Sequence, residues 1–168
     1  MDREGVVAWL KLHGVNNYTI DEDLSVDVNG DVDLSFSGLG EIKVRFRNVS
    51  GSFHCYDNGL TSLLGCPVSV GRHFSCHDNR LKTLEYCPVE VVGDFFCNAN
   101  RLTSLEGCPE YVGGRFETYG NKLIDSDIFL YDYTSEQIGQ YYKNKKLNED
   151  LKENLSEDIG VETKKKKI

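Results

Sequence analysis

Ten side chains of this 168-residue chain are of the kinds that hold metal ions or move protons and electrons near neutral pH: six Cys and four His. Six thiols raise zinc or redox chemistry, so their spacing is read first. Zinc needs ligands that converge on one point, typically through C-x-x-C pairs. The chain contains no C-x-x-C. Instead Cys55, Cys76 and Cys97 are each 21 residues apart, and so are Cys66, Cys87 and Cys108. Residues that recur once per turn of a coil lie along a line, not around a tetrahedron. Cys is also a small, readily buried hydrophobe. The two sets are therefore read as structural thiols, with a metal or disulfide role as the alternative. His54, His73 and His77, near Asp57 and Asp78, have the chemistry for a metal or for acid-base work. They fall on neighbouring turns of an open face, without a pocket, a nucleophile or an oxyanion hole. The expectation is no metal, no cofactor and no catalysis.

The same 21-residue offset links Phe53, Phe74, Phe95 and Phe116; Asn58, Asn79, Asn100 and Asn121; Leu60, Leu81, Leu102 and Leu123; and Pro67, Pro88 and Pro109. Self-similarity at a fixed period of this size is the signature of a solenoid and outranks any local secondary-structure reading. The unit is V-x-G-x-F-x-C-x-x-N-x-L-T-S-L-x-x-C-P. Side chains alternate across a strand, so in Phe95-Phe96-Cys97 the outer two point one way and Phe96 the other. Stacking turns at the parallel-strand spacing of about 4.8 Å builds columns of like residues, with the Phe column and the first Cys column facing inward. The recurrent Asn sits where the chain leaves the strand. Its amide is expected to bond backbone groups of its own and the next turn, which keeps a buried loop satisfied.

This unit resembles the leucine-rich repeat, L-x-x-L-x-L-x-x-N-x-L-x-x-L, with Val92, Phe95, Cys97, Asn100, Leu102 and Leu105 filling the pattern in order. The resemblance implies a leucine-rich-repeat solenoid with a short curved parallel β-sheet of about five turns. Units 49–69, 70–90 and 91–111 match closely. In the unit before them Val28, Val32, Leu34, Leu39 and Ile42 keep the apolar spacing, with Ser37 in place of Asn. The unit after them keeps Phe116, Asn121 and Leu123, then replaces Cys-Pro with Phe129-Leu130. The expected organisation is an N-terminal helix and strand cap over 1–27, the solenoid over 28–132, and a C-terminal helix with a lysine-rich tail over 133–168.

The open ends of a solenoid need caps. Upstream, Asp2 is placed to cap a helix whose Val6, Trp9, Leu10 and His13 share one face, with Gly14 to end it and Trp9 to close the core. Tyr18-Thr19-Ile20 reads as a strand leading into Leu24, Val26 and Val28. Downstream, Thr134 to Gln137 form a capping box before Ile138, Tyr141, Tyr142, Leu147, Leu151 and Leu155. That helix either lies on the last coil or projects a thin Leu stripe to dimerise or bind a partner. The first reading is favoured.

With the inward columns assigned to the core, the outward positions remain. They run Asp31, Ser52, His73, Asp94, Arg115; Asp33, His54, Ser75, Phe96, Glu117; and Ser35, Tyr56, His77, Asn98, Tyr119. These differ at every turn, so stacking does not fix them. Tyr and Arg commonly anchor interfaces, and exposed aromatic clusters mark them. The residues taken for partner binding are His54, Tyr56, His73, His77, Phe96, Asn98, Arg115, Glu117 and Tyr119. The alternative is a polar sheet face with aromatic ladder pairs.

Nineteen Lys and Arg against 27 acids give a net charge of −8. That excess argues against sequence-independent nucleic-acid binding, which rests on basic residues at phosphates. No run approaches the ~18 apolar residues of a membrane helix. The start, Met1-Asp2-Arg3-Glu4-Gly5, lacks the features of a secretory signal, so a cytoplasmic location with reduced thiols is expected. Acids outnumber bases by eight to two in the first 35 residues, while the segment from Thr134 is nearly neutral. A basic partner surface would therefore approach the amino-terminal end.

The repeat units, with the lead-in WLKLHGVNNYTIDEDLSVDVNGDVDLS, also look like the small leucine-rich-repeat proteins encoded by tailed bacteriophages. That resemblance implies a place in the host cytoplasm and a host protein, such as a defence factor, as partner. Bacterial effector ligases carry similar repeats but need a large catalytic domain with a nucleophilic Cys. Here only 133–168 follow the solenoid, and the last Cys is Cys108. The expected function is a non-enzymatic module that holds, and so modulates or inhibits, one protein through the concave sheet. The alternative is an assembly protein that forms homo-oligomers through its C-terminal helix.

Overall fold

The computed structural model describes residues 1–124 and, beyond them, the helical positions 137, 140, 141, 144 and 147. Helix α1 (Arg3–Leu12) starts where Asp2, in extended conformation, accepts a 2.9 Å hydrogen bond from the Gly5 amide. This places a carboxylate at the positive end of the helix dipole. Gly14 turns the chain away with φ +68°. Val6, Trp9 and Leu10 are buried on one face, and His13 stacks on Trp9 with ring centroids 4.0 Å apart. Strands β1 (Tyr18–Ile20) and β2 (Ser25–Val28) then form an antiparallel hairpin. Arg47 ties this hairpin to the first coil by ion pairs to Asp21 and Asp27, and Arg45 does so to Asp23.

From β2 onward each unit contributes two short strands. The first of each pair, β4 (Arg45–Val49), β6 (Ser69–Val70), β8 (Glu90–Val91) and β10 (Tyr111–Val112), extends the hairpin into a six-stranded sheet in the order β1-β2-β4-β6-β8-β10. The second of each pair, with β3 (Val32–Asp33), β5 (Phe53–His54), β7 (Phe74–Ser75), β9 (Phe95–Phe96) and β11 (Phe116–Glu117), makes a five-stranded, wholly parallel sheet. Its register pairs Val32 with Phe53, Phe53 with Phe74, Phe74 with Phe95 and Phe95 with Phe116, one repeat per step. The chain is thus a parallel β-solenoid of the leucine-rich-repeat kind.

The sequence predicted one parallel sheet, and this is the five-stranded one. The second sheet exists because Val28, Val49, Val70, Val91 and Val112 also stack in register. That column corrects one core assignment. Val91 is fully buried while Val92, expected inside, is 51% exposed, because neighbours along an extended segment face opposite ways.

Inside the coil the Phe rings form a continuous stack. Phe53 and Phe74 lie 5.8 Å apart and Phe74 and Phe95 5.3 Å apart, nearly parallel in both cases. Phe46 closes the amino-terminal end of the stack edge-on at 5.2 Å, and Trp9 covers Phe46. Cys55, Cys76 and Cys97 are fully buried beside the rings, as are Leu60, Leu81, Leu102 and Leu63, Leu84, Leu105. Tyr141, one of the helical positions of the carboxy-terminal segment, is partly buried against this core. Leu147 is exposed. Ile138, Tyr142, Leu151, Leu155 and the start of the predicted box at Thr134 lie outside the described residues, as do Phe129-Leu130.

The Asn residues form the predicted ladder, with one change of direction. Asn79 Nδ2 donates to the carbonyls of Cys76 and Cys55, both at 3.0 Å, and its Oδ1 accepts from the amides of Asn58 and Leu60. Asn58, Asn100 and Asn121 repeat the pattern. Each therefore bridges its own turn to the preceding one, not to the next, because the loop of the preceding turn presents its amides toward it. At the degenerate unit the Ser37 amide donates to Asn58, so the first turn needs no Asn of its own. Among the described residues, no helix is long and apolar enough to cross a membrane.

Candidate binding face

The outward side of the five-stranded sheet is built by the same alternation that buries Phe and Cys. In the central column His54 pairs in register with Asp33 and Ser75, Ser75 with Phe96, and Phe96 with Glu117. In the next column Tyr56 and His77 stack at 4.4 Å with planes 12° apart. His77 Nδ1 lies 2.8 Å from the Asp78 carboxylate, which holds the ring in this pose. His54 approaches Tyr56 at 6.1 Å, and Phe36 meets it at 5.1 Å and 86°. Four rings from three successive turns thus form one cluster on an otherwise polar face.

Of the nine residues predicted to bind a partner, the structure joins His54, Tyr56 and His77. His73 stands apart, its Nδ1 3.1 Å from the Asp94 amide and 3.2 Å from the Asp94 carboxylate. Arg115 and Glu117 face each other at 3.7 Å. Tyr119 is exposed and Phe96 only half-buried; neither makes a ring contact among the described residues. Asn98 does not belong to the exposed face: it is 7% accessible. Its side chain is short and sits in a column between the longer His77 and Tyr119. Ser75, between His54 and Phe96, is buried for the same reason.

Burial holds the His54 pKa below the usual imidazole range, and Asp33 and Asp31 only partly offset this. Its Nδ1 is buried without a hydrogen-bond partner. The ring is therefore neutral at pH 7. Asp33 is shifted down: burial alone would raise it, but the Ser35 hydroxyl and amide both donate to its carboxylate and outweigh that.

The thiols lie far from such chemistry. All six are free, and burial pushes Cys66, Cys76, Cys87 and Cys97 well up and Cys108 up to about 12. These five stay protonated at neutral pH, and the protonated thiol is neither a nucleophile nor a metal ligand. Cys87 instead donates to the Gly107 carbonyl at 3.0 Å. Among the described residues, no three His, Cys, Asp or Glu converge as a metal site. Neither a protein-family model, nor a curated protein, nor a solved structure matches the chain.

Two aromatic residues escaped the sequence reading. Phe36 is 70% exposed with φ +54°. One repeat apart, the same left-handed position is held by Asp57, Asp78, Ala99 and Gly120, none of them bulky. Tyr86, with φ +66°, stands where the neighbouring units have Gly65 and Gly107. With Phe46, Leu64, Pro67, Val68 and Val89 it lines a cavity of about 310 Å³ beside the six-stranded sheet. Bulky residues at positive φ are costly outliers. The signal was in the repeat: both are the places where one unit departs from its siblings at a turn.

Proposed function

We propose that this chain is a non-enzymatic binding module that holds one protein partner against the outward face of its five-stranded sheet. The observation that carries this reading is the ring cluster of Phe36, Tyr56, His77 and His54. Nothing in the stacking of the coil calls for these rings, since the same columns elsewhere hold Ser, Asp and Asn. Clustered aromatics of this kind give large contact area at low cost in side-chain entropy and commonly anchor interfaces. The resemblance to phage-encoded repeat proteins makes a host protein, such as a defence factor whose active surface is covered, the first partner class to try.

The test compares wild type with a Tyr56→Ala, Phe96→Ala, Tyr119→Ala variant in capture from bacterial lysate. The variant must melt within a few degrees of wild type. A partner recovered by wild type is then expected to be lost from the variant. Equal recovery by both would overturn the assignment to this face.

A further inference from the structure

We infer that the corner formed by Phe36 and Tyr56, with Asp57 at its edge, receives an arginine side chain of the partner. The inference rests on the binding-face reading above and specifies its chemistry. Phe36 and Tyr56 stand at 86° with centroids 5.1 Å apart, so they form two walls rather than a flat patch. His77 covers Tyr56 at 4.4 Å and is itself held by Asp78. The walls are thus positioned before anything binds.

Phe36, Asp57 and Asp78 occupy one turn position in three successive units, so Asp57 stands one turn from Phe36 and next to Tyr56 in the chain. Asp57 is exposed; its amide donates to the His77 carbonyl at 3.3 Å, and its carboxylate has no hydrogen bond or ion pair among the described residues. Asp31 and Asp33, by contrast, are engaged by backbone amides of Ser52 and Ser35.

An aromatic corner with one uncommitted carboxylate selects a planar cation. A guanidinium stacks on an aromatic face through its π-system while its N–H groups fork onto a carboxylate, which an ammonium does less well. The surroundings carry the same sign: around this end of the face stand Asp31, Asp33, Asp57 and Asp78, against Arg72 and Arg80 as bases of the same units. At the far end Arg101, Arg115 and Lys122 outnumber Asp94 and Glu117. A basic side chain is thus drawn to the amino-terminal end. The conformation of Phe36 supports the same reading, since a residue at this turn is better served by Gly, and only its ring explains its presence.

The test is selection of random 12-residue peptides displayed on an unrelated carrier against the full chain at low salt, followed by affinity measurement on the selected peptides. Arg is expected to be enriched. Replacing that Arg by citrulline, which keeps the shape and removes the charge, is expected to weaken binding at least tenfold. Phe36→Gly should do the same with a melting temperature no lower than wild type, and Asp57→Asn should weaken binding about threefold. Selected peptides that lack Arg, or tolerate citrulline, yet are lost on Tyr56→Ala would overturn the arginine assignment and leave the binding face standing. Peptides that bind equally to wild type, Phe36→Gly and Tyr56→Ala would overturn both, as would a selection that enriches nothing.

Discussion

Residues that repeat and residues that do not lie on opposite sides of the same strands. In β5 and its exit, Phe53 and Cys55 are fully buried, and each has a counterpart of its own type one unit on; His54 and Tyr56 between and beyond them are part-exposed, and their counterparts are Ser75 and His77. The inward side is constrained because every turn must present the same volume and the same hydrogen bonds to the next. The outward side answers to no such rule, so what it holds is available to a partner.

The largest test of that contrast is at the ladder. Asn79→Ala leaves the amides of Asn58 and Leu60 and shares of the Cys55 and Cys76 carbonyls without partners inside the coil. Chemical denaturation should show a loss of about 3–4 kcal/mol. His77→Ala, two residues away on the outward side, should cost about 1 kcal/mol or less. Similar losses for the two would erase the distinction between the sides.

The thiol column comes next. Cys76→Ala should cost about 1–2 kcal/mol by opening a small void beside Phe74. Because burial raises the folded pKa of Cys76 and Cys97, the folded state keeps protons that the unfolded chain releases. Stability is therefore whole below the unfolded thiol value of about 8.5 and falls as pH rises above it toward the folded values. Melting scans from neutral to alkaline pH should show this decline, and Cys76→Ala should lessen it. In native protein a thiol reagent should react slowly with Cys55, Cys76 and Cys97, and quickly once denaturant is added. Rapid native labelling would contradict the assignment of this column to a tight core.

A smaller effect of opposite sign is expected at Tyr86, which breaks the repeat at a turn. Tyr86→Gly restores the residue found in the neighbouring units at φ +96° and φ +78°. It should raise the melting temperature by about 2 °C. A decrease would mean that Tyr86 packs in the cavity beside Leu64 and Val68 firmly enough to outweigh its backbone strain.

The period made the inward half of the molecule legible from sequence alone. Phe, Cys, Leu and Asn fall at fixed intervals, and only one arrangement stacks them all, so their positions inside the coil followed directly. Asp2, Trp9 and Gly14 were legible at the cap because each has a local physical reason to be there. The outward half was only partly readable. Alternation placed His54, Tyr56 and His77 on one face, but it says nothing of how far a short side chain is overshadowed by its column neighbours, so Asn98 was misjudged. It also treats turns as connectors, which is why Phe36 and Tyr86 were passed over. The leucine-rich-repeat pattern was matched at Val92 for a related reason: Val91 and Val92 are equally apolar, and the second sheet, in which Val91 stacks on Val70, is what distinguishes them.

The smallest expected effect comes from the face itself, and its sign is opposite in pH to that of the thiols. Burial lowers the folded pKa of His54, so on acidification the unfolded chain takes up a proton that the folded chain resists. Stability should therefore begin to fall as pH drops through the ordinary imidazole value of about 6.5, and this contribution should level off below the lower folded value. Asp33 adds to the acid side at still lower pH, since its folded pKa is depressed and the stability it contributes is lost as pH falls through that value. The two are separable. His54→Gln should flatten the melting curve just below the ordinary imidazole value, whereas Asp33→Asn should lessen the more acidic decline and deepen the His54 one, because it removes a charge that partly offsets the burial of the ring. The alkaline decline should persist in both variants, because it belongs to the other side of the strand. A His54→Gln protein that lost the alkaline decline as well would mean that the two sides titrate as one unit, which the alternation of side chains along β5 does not allow.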